Sequence, residues 1–321
     1  MKMRALVREC HSLRVRSTPC PSVGADDQVL IKVDVAGLCR TDLLAADGKL
    51  GTCESLILGH EFSGTVVRIG DRVTALSVGD RIAANPLVSC QRCASCTRGI
   101  PSLCQDGQFL GIDRHGAFAS YVAVPDRVVY RVPPYLSPLA AAYMEPVAAA
   151  LAVLKTGILP SERGLIYGRN RFSGLMQKVL FAKGFGLVEV HEPVRDTRGR
   201  PFVDEKHGIE ANRYDFAIET IASTEHLEGM LRCIRPGGKL ILKSRGHERL
   251  SFKPVDWINK EPVVRAVKYG SFDDAIALLA EGRVTVDDLV DGVYELEEFE
   301  TVFARARNSE ALKPFFTLAN G

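Results

Sequence analysis

Four cysteines fall within fifteen residues as Cys90-x2-Cys93-x2-Cys96-x7-Cys104. Two-residue gaps let the backbone fold back around one metal ion, and four thiolates form the closed tetrahedral shell of a structural zinc site. Two other readings use the same thiols. A disulfide framework belongs to oxidising compartments, and no secretory-type apolar run opens this sequence. An iron–sulfur run shares the Cys-x2-Cys-x2-Cys start, but its bacterial form continues with x3-Cys-Pro where this chain has x7 before Cys104. The spacing predicts a structural zinc in a lobe over residues 88–106.

A second set of donors lies upstream on two short stretches, Gly37-Leu38-Cys39-Arg40-Thr41-Asp42 and Gly59-His60-Glu61. Cys39, His60 and Glu61 offer a thiolate, an imidazole and a carboxylate, the mixed set of a catalytic zinc that keeps one coordination position open. Asp42 is placed to accept a hydrogen bond from the non-ligating nitrogen of His60 and so fix its tautomer. Taken singly, the same residues read as a small buried thiol and a satisfied core histidine. The two stretches followed by the four-Cys lobe make the metal reading the stronger one.

The elements around these donors alternate with period two. Gln28-Val-Leu-Ile-Lys-Val-Asp-Val-Ala, Gly64-Thr-Val-Val-Arg-Ile-Gly, Asp80-Arg-Ile-Ala-Ala-Asn and Ala117-Phe-Ala-Ser-Tyr-Val-Ala-Val-Pro read as short strands punctuated by Gly, Pro and Asp. That is the pattern of a β-barrel-like domain whose loops carry function.

The order Cys-Arg-Thr-Asp, Gly-His-Glu and then the four-Cys run resembles the zinc-dependent medium-chain alcohol dehydrogenases. The likeness continues through Gly111-Ile-Asp-Arg-His-Gly-Ala-Phe-Ala and Met144-Glu145-Pro146-Val147 and covers nearly the whole chain. It implies an α/β chain: a GroES-like β-barrel catalytic domain over residues 1–151 and 271–321, and a shortened Rossmann-like parallel-sheet domain over 152–270. It implies two zinc ions per chain. In that family Cys39 and His60 would ligate the catalytic zinc, with Glu61 a direct or exchangeable ligand and Glu145 a further one. The Glu145-Pro146 form resembles the polyol and amino-polyol branch. Glu145 also reads as a helix N-terminal carboxylate favoured by the helix dipole. Thr41 would take the substrate hydroxyl proton, and Arg40 would contact the cofactor pyrophosphate, or else stand as a solvated surface side chain.

From about residue 151 the pattern turns to strand–helix alternation. Gly164-Leu-Ile-Tyr-Gly168 reads as a strand entering a turn, residues 173–183 as a helix and residues 186–192 as the next strand. Phe216-Ala-Ile-Glu-Thr and Lys239-Leu-Ile-Leu-Lys read as two more strands. A dinucleotide turn wants G-x-G-x-x-G. Aligned without gaps, this chain has Gly168, Asn170 and Ser173, so a side chain stands where phosphate would sit, flanked by Arg169 and Arg171. Glu192 is placed to hold a ribose 2′-hydroxyl, which favours NAD over NADP. Arg195, Arg198 and Arg200 follow it closely. Between Glu192 and Phe216 the helix–strand–helix passage of the family does not fit, and Pro193, Gly199, Pro201 and Gly208 interrupt what remains.

Toward the C-terminus, residues 273–281 read as an amphipathic helix, 289–294 as a strand, 296–306 as a helix and 312–318 as a last strand. Trp257 and residues 263–269 suit a strand at a subunit interface, with core packing the default reading. A net charge of +2 with 25% charged and 46% apolar residues gives no field aimed at nucleic acid or membrane. The apolar run 139–154 is broken by Glu145 and Pro146 and reads as too short to span a bilayer. Singly scattered cysteines suit a reducing cytoplasm, and the resemblance implies a homodimer or homotetramer.

The function expected is a zinc-dependent, NAD-linked dehydrogenase acting on a secondary alcohol of a polyol, aminocyclitol or similar polar molecule. Two alternatives stand beside it: a zinc-dependent lyase or epimerase with a degenerate nucleotide site, and a non-enzymatic scaffold. Residues 45–55 and 110–114 are expected to line the substrate pocket.

Overall fold

The computed structural model describes residues 1–9, 12–23, 26–52, 55–191, 194–195, 201–202, 209–246, 249–308 and 311–318. Internal contacts divide the chain into two units, Met1–Pro146 with Phe272–Gly321, and Val147–Ser271.

The first unit is built around the strand Gln28–Gly37, whose β-branched run buries most of its residues on both faces. On one side it pairs antiparallel with Glu61–Ile69, in a register that sets Gly37 opposite Glu61. Its other side is shared. Tyr121–Pro125 covers the first half and Lys313–Thr317 covers the second, with Phe315 opposite Gly37. The sheet continues outward through Arg81–Ala84 and Val129–Arg131 at one edge and Val290–Glu295 at the other. A three-stranded sheet of Ser12–Pro19, Lys2–Glu9 and Ser55–Ile57 lies in the same unit. Val29, Ile31, Val33, Phe62, Phe118 and Phe316 belong to one buried apolar cluster, so two segments far apart in sequence fill a common core.

The second unit carries a five-stranded parallel sheet in the order Val188–His191, Gly164–Tyr167, Tyr214–Glu219, Ile234–Leu242, Val263–Ala266. Strand order reverses at Gly164–Tyr167, which makes the crevice beyond its C-terminal end the place where open α/β sheets take ligands. The passage too short for helix–strand–helix contains a two-stranded antiparallel pair, Val194–Arg195 with Pro201–Phe202. Residues 263–266 form the edge strand of this sheet, with Val263 and Val264 exposed. Two further helices, Thr224–Cys233 and Pro254–Lys260, lie in this unit.

One expectation about the first helical run changes. Pro138–Thr156 is long and apolar enough to cross a bilayer by length and composition, yet 72% of its most apolar window is buried within the protein. A core helix meets the same test, and burial of that extent is what one shows.

Candidate metal centre and nucleotide turn

Cys39 stands two residues past the end of the strand Gln28–Gly37 and caps the helix Arg40–Ala46. Asp42, in the first turn of that helix, is fully buried and uses both carboxylate oxygens. Its Oδ2 accepts from the Cys39 N–H at 2.9 Å, and its Oδ1 accepts from the Gly59 N–H at 3.0 Å. One side chain therefore ties the start of the helix to the loop bearing His60. His60 Nδ1 lies 3.3 Å from Asp42 Oδ1 but makes no aligned hydrogen bond to any described residue. Asp42 thus positions the backbone of the two loops more directly than it orients the imidazole.

This folding brings the Cys39 thiol, the His60 imidazole and a Glu61 carboxylate oxygen within 4.8 Å of one another. Burial alone would push the His60 pKa down. The charges of Asp42 and Cys39 beside it outweigh that and hold it well above its ordinary value. The pocket favours positive charge. A thiolate, an imidazole and a carboxylate converging in such a field fit a zinc ion. Glu145 is buried in the first turn of the helix Met144–Leu151 but falls outside the 4.8 Å cluster. Thr41 is buried, with its Oγ1 3.7 Å from Cys39 Sγ, whereas Arg40 is exposed.

Nothing in the sequence singles out Lys313, yet it belongs to this site. It is buried, and its Nζ donates to Glu61 Oε2. The register explains the meeting: Gly37 pairs with Glu61 on one side and with Phe315 on the other. A β-carbon at Gly37 would come within 3.0 Å of Glu61 Oε2 and 3.2 Å of the Lys313 side chain, so the glycine leaves room for the pair. The only sequence signal is a lysine opening an otherwise apolar strand, Lys313-Pro-Phe-Phe.

In the lobe, Cys93 Sγ lies 3.6 Å from Cys96 Sγ and 3.9 Å from Cys104 Sγ, and Cys90 Sγ lies 4.0 Å from Cys96 Sγ. Zinc–sulfur bonds of about 2.3 Å in a tetrahedron place sulfurs about 3.8 Å apart, so these thiols fit one zinc. Hydrogen bonds from the backbone at Cys96 and Gln105 hold the Cys93 thiol down at about 6. The cysteines of the lobe are unbridged.

At the parallel sheet, Gly168 takes φ +110°, and a β-carbon there would meet Thr220 Oγ1 at 2.6 Å. Asn170 caps the helix Arg171–Ala182, its Oδ1 accepting from the N–H groups of Phe172 and Ser173 at 2.9 and 3.0 Å. Ser173 is fully buried, and its Oγ accepts from the Asn170 N–H at 2.7 Å. The main-chain path therefore fits a dinucleotide turn, but the Asn170 side chain occupies the helix end. Glu192 lies outside the described residues. Beside the turn, Glu219 is buried, its Oε2 accepting from the Lys243 and Ser244 N–H groups and so stapling two strand ends.

Residues 25–134 match the family described as alcohol dehydrogenase GroES-like domain. D-xylulose reductase A of Aspergillus oryzae (strain RIB 40) is 26% identical over 335 residues, covering 94% of this chain and 93% of that protein. A protein assigned as a zinc-binding dehydrogenase from Sinorhizobium meliloti 1021, solved with NADP, superposes with TM-score 0.85 at 25% identity over 99% of each chain. L-idonate 5-dehydrogenase from Escherichia coli has the same fold, with TM-score 0.87 at 21% identity over 99% of this chain and 98% of that one. The chain therefore carries an alcohol dehydrogenase GroES-like domain and is similar along nearly its whole length to a D-xylulose reductase and to a zinc-binding dehydrogenase.

Proposed function

We propose that this protein is a zinc-dependent oxidoreductase that interconverts a secondary alcohol and a ketone on a small polar, polyol-like substrate, with NAD as the hydride partner. The observation that carries this is the convergence of Cys39, His60 and Glu61 donors within 4.8 Å. Similarity to the D-xylulose reductases supports the polyol class. A zinc ion held by Cys39, His60 and Glu61 supplies a Lewis acid for an alcohol or ketone oxygen. A nicotinamide dinucleotide, when bound, supplies hydride chemistry.

The chain's own residues do the rest. Asp42 fixes the separation of the Cys39 and His60 loops through its two backbone hydrogen bonds. Thr41, buried next to Cys39, offers a hydroxyl through which the substrate proton leaves. Glu145 is assigned as a further or water-bridged ligand, and Arg40 as a contact for the cofactor pyrophosphate. The exposed edge strand Val263–Ala266 is assigned to a contact between subunits of a homodimer or homotetramer, in the cytoplasm.

The test is Cys39→Ser. Metal analysis is expected to fall from two zinc ions per chain to one, with oxidation of a polyol panel abolished and the fold retained. A non-redox zinc reaction is the second reading, favoured by the side chain in the nucleotide turn. Absorbance at 340 nm that rises with polyol and NAD excludes it.

A further inference from the structure

The second position of the nucleotide turn holds a residue that does what a bound phosphate would do. Pyrophosphate at a helix N-terminus is received by the N–H groups of the first turn, which have no partner within the helix. Here the N–H groups of Phe172 and Ser173 already donate to Asn170 Oδ1. The amide end of the same side chain is also engaged, Nδ2 donating to Thr220 Oγ1 at 3.2 Å across the mouth of the crevice. Thr220 in turn donates to the Tyr167 carbonyl at 3.1 Å, so the side chain is tied to the ends of both strands that flank the reversal point. Each N–H carries one hydrogen, and phosphate oxygens and Asn170 Oδ1 compete for the same two.

We infer that Asn170 fills the phosphate seat of this turn with its own carboxamide, so that a dinucleotide binds only when the side chain leaves the helix end. This rests on the proposed function, which assigns a dinucleotide to this unit. It makes Asn170 the residue that sets cofactor affinity. Arg169, exposed beside it, and Arg171 bring positive charge to the emptied seat. Displacing a capping side chain costs what capping contributes, which corresponds to about five-fold in affinity.

The test is Asn170→Gly, since glycine at a cap position loses little helix stability and carries no competing oxygen. Fluorescence titration with NADH and with NADPH is expected to show both binding about five-fold tighter than to the wild type. Asn170→Asp keeps the capping oxygen and adds a negative charge, and is expected to bind both more weakly. Amide exchange in the nucleotide-free proteins supplies a second measure: Phe172 and Ser173 are slow in the wild type and fast in Asn170→Gly, with the rest of the helix unchanged. Equal or weaker binding by Asn170→Gly, with wild-type binding intact, overturns the inference and leaves the dehydrogenase reading standing. If neither protein binds either nucleotide, both fall.

Discussion

Lys313 and Glu61 meet as a buried ion pair although 252 positions separate them in sequence. Glu61 neighbours His60, so the pair sets a positive side chain against one oxygen of a carboxylate in the candidate metal cluster. A buried carboxylate needs such a partner, because stripping its water without compensation is costly.

Lys313→Met removes the partner and leaves Glu61 buried and unpaired. The metal-free protein is expected to lose about 3–5 kcal/mol in urea unfolding. Zinc then supplies the missing positive charge, so added zinc should raise the midpoint of this variant more than that of the wild type.

Asp42→Asn replaces one of two acceptor oxygens with an NH2 group that faces a backbone N–H. Groups just outside a metal shell typically contribute about 10–100-fold to metal affinity. A loss in that range is expected at the Cys39 site, measured by competition with a chromophoric chelator, while zinc in the four-Cys lobe is retained.

Gly116→Ala reports on the His60 loop from outside it. A β-carbon at residue 116 would stand 2.0 Å from the Gly59 carbonyl oxygen and 2.6 Å from that of Leu58, so the backbone before His60 must move. Overpacking of this kind costs about 1–3 kcal/mol. The variant is expected to show a lower melting temperature and to bind less zinc per chain than the wild type.

Asp80 gives a pH dependence with a defined sign. The Ser77 N–H at 2.8 Å, aided by Arg131 at 2.7 Å, holds its carboxyl below the usual carboxylate value. A folded-state pKa below the unfolded one stabilises above the unfolded value, about 3.9, and that contribution is lost as pH falls through the folded value. Asp80 and Arg131 are both solvent-accessible, so Asp80→Ala is expected to lose no more than about 1 kcal/mol at pH 7. Its unfolding midpoint should change less steeply than that of the wild type below pH 4.

The candidate metal donors are legible in the sequence because metal shells impose short, typed spacings: two loops bring together Cys39 and His60-Glu61, and one lobe brings together four thiols. The strands Gln28–Gly37 and Gly164–Tyr167 are legible by their runs of β-branched and apolar residues. Lys313 is not, because its role comes from a strand register with Gly37, and a pairing between distant strands leaves no local pattern. The dual use of Asp42 is hidden for the same reason: one oxygen reaches its own helix start, the other a loop 17 residues away. Asn170 shows the reverse case. Its departure from glycine is plain in the sequence, but that its carboxamide bonds the two N–H groups at the helix end follows only from side-chain geometry.

The half-and-half covering of Gln28–Gly37 has a consequence in time. A ribosome adding about 5–20 residues per second needs roughly ten to fifty seconds to go from Glu61 to Lys313. Throughout that interval the nascent barrel has a notch beside Gly37, and the carboxylate next to His60 has no ammonium to meet. The parallel-sheet unit emerges whole before the notch can close. Biogenesis therefore leaves the metal pocket for last, after the later-encoded segment has threaded back to seal it.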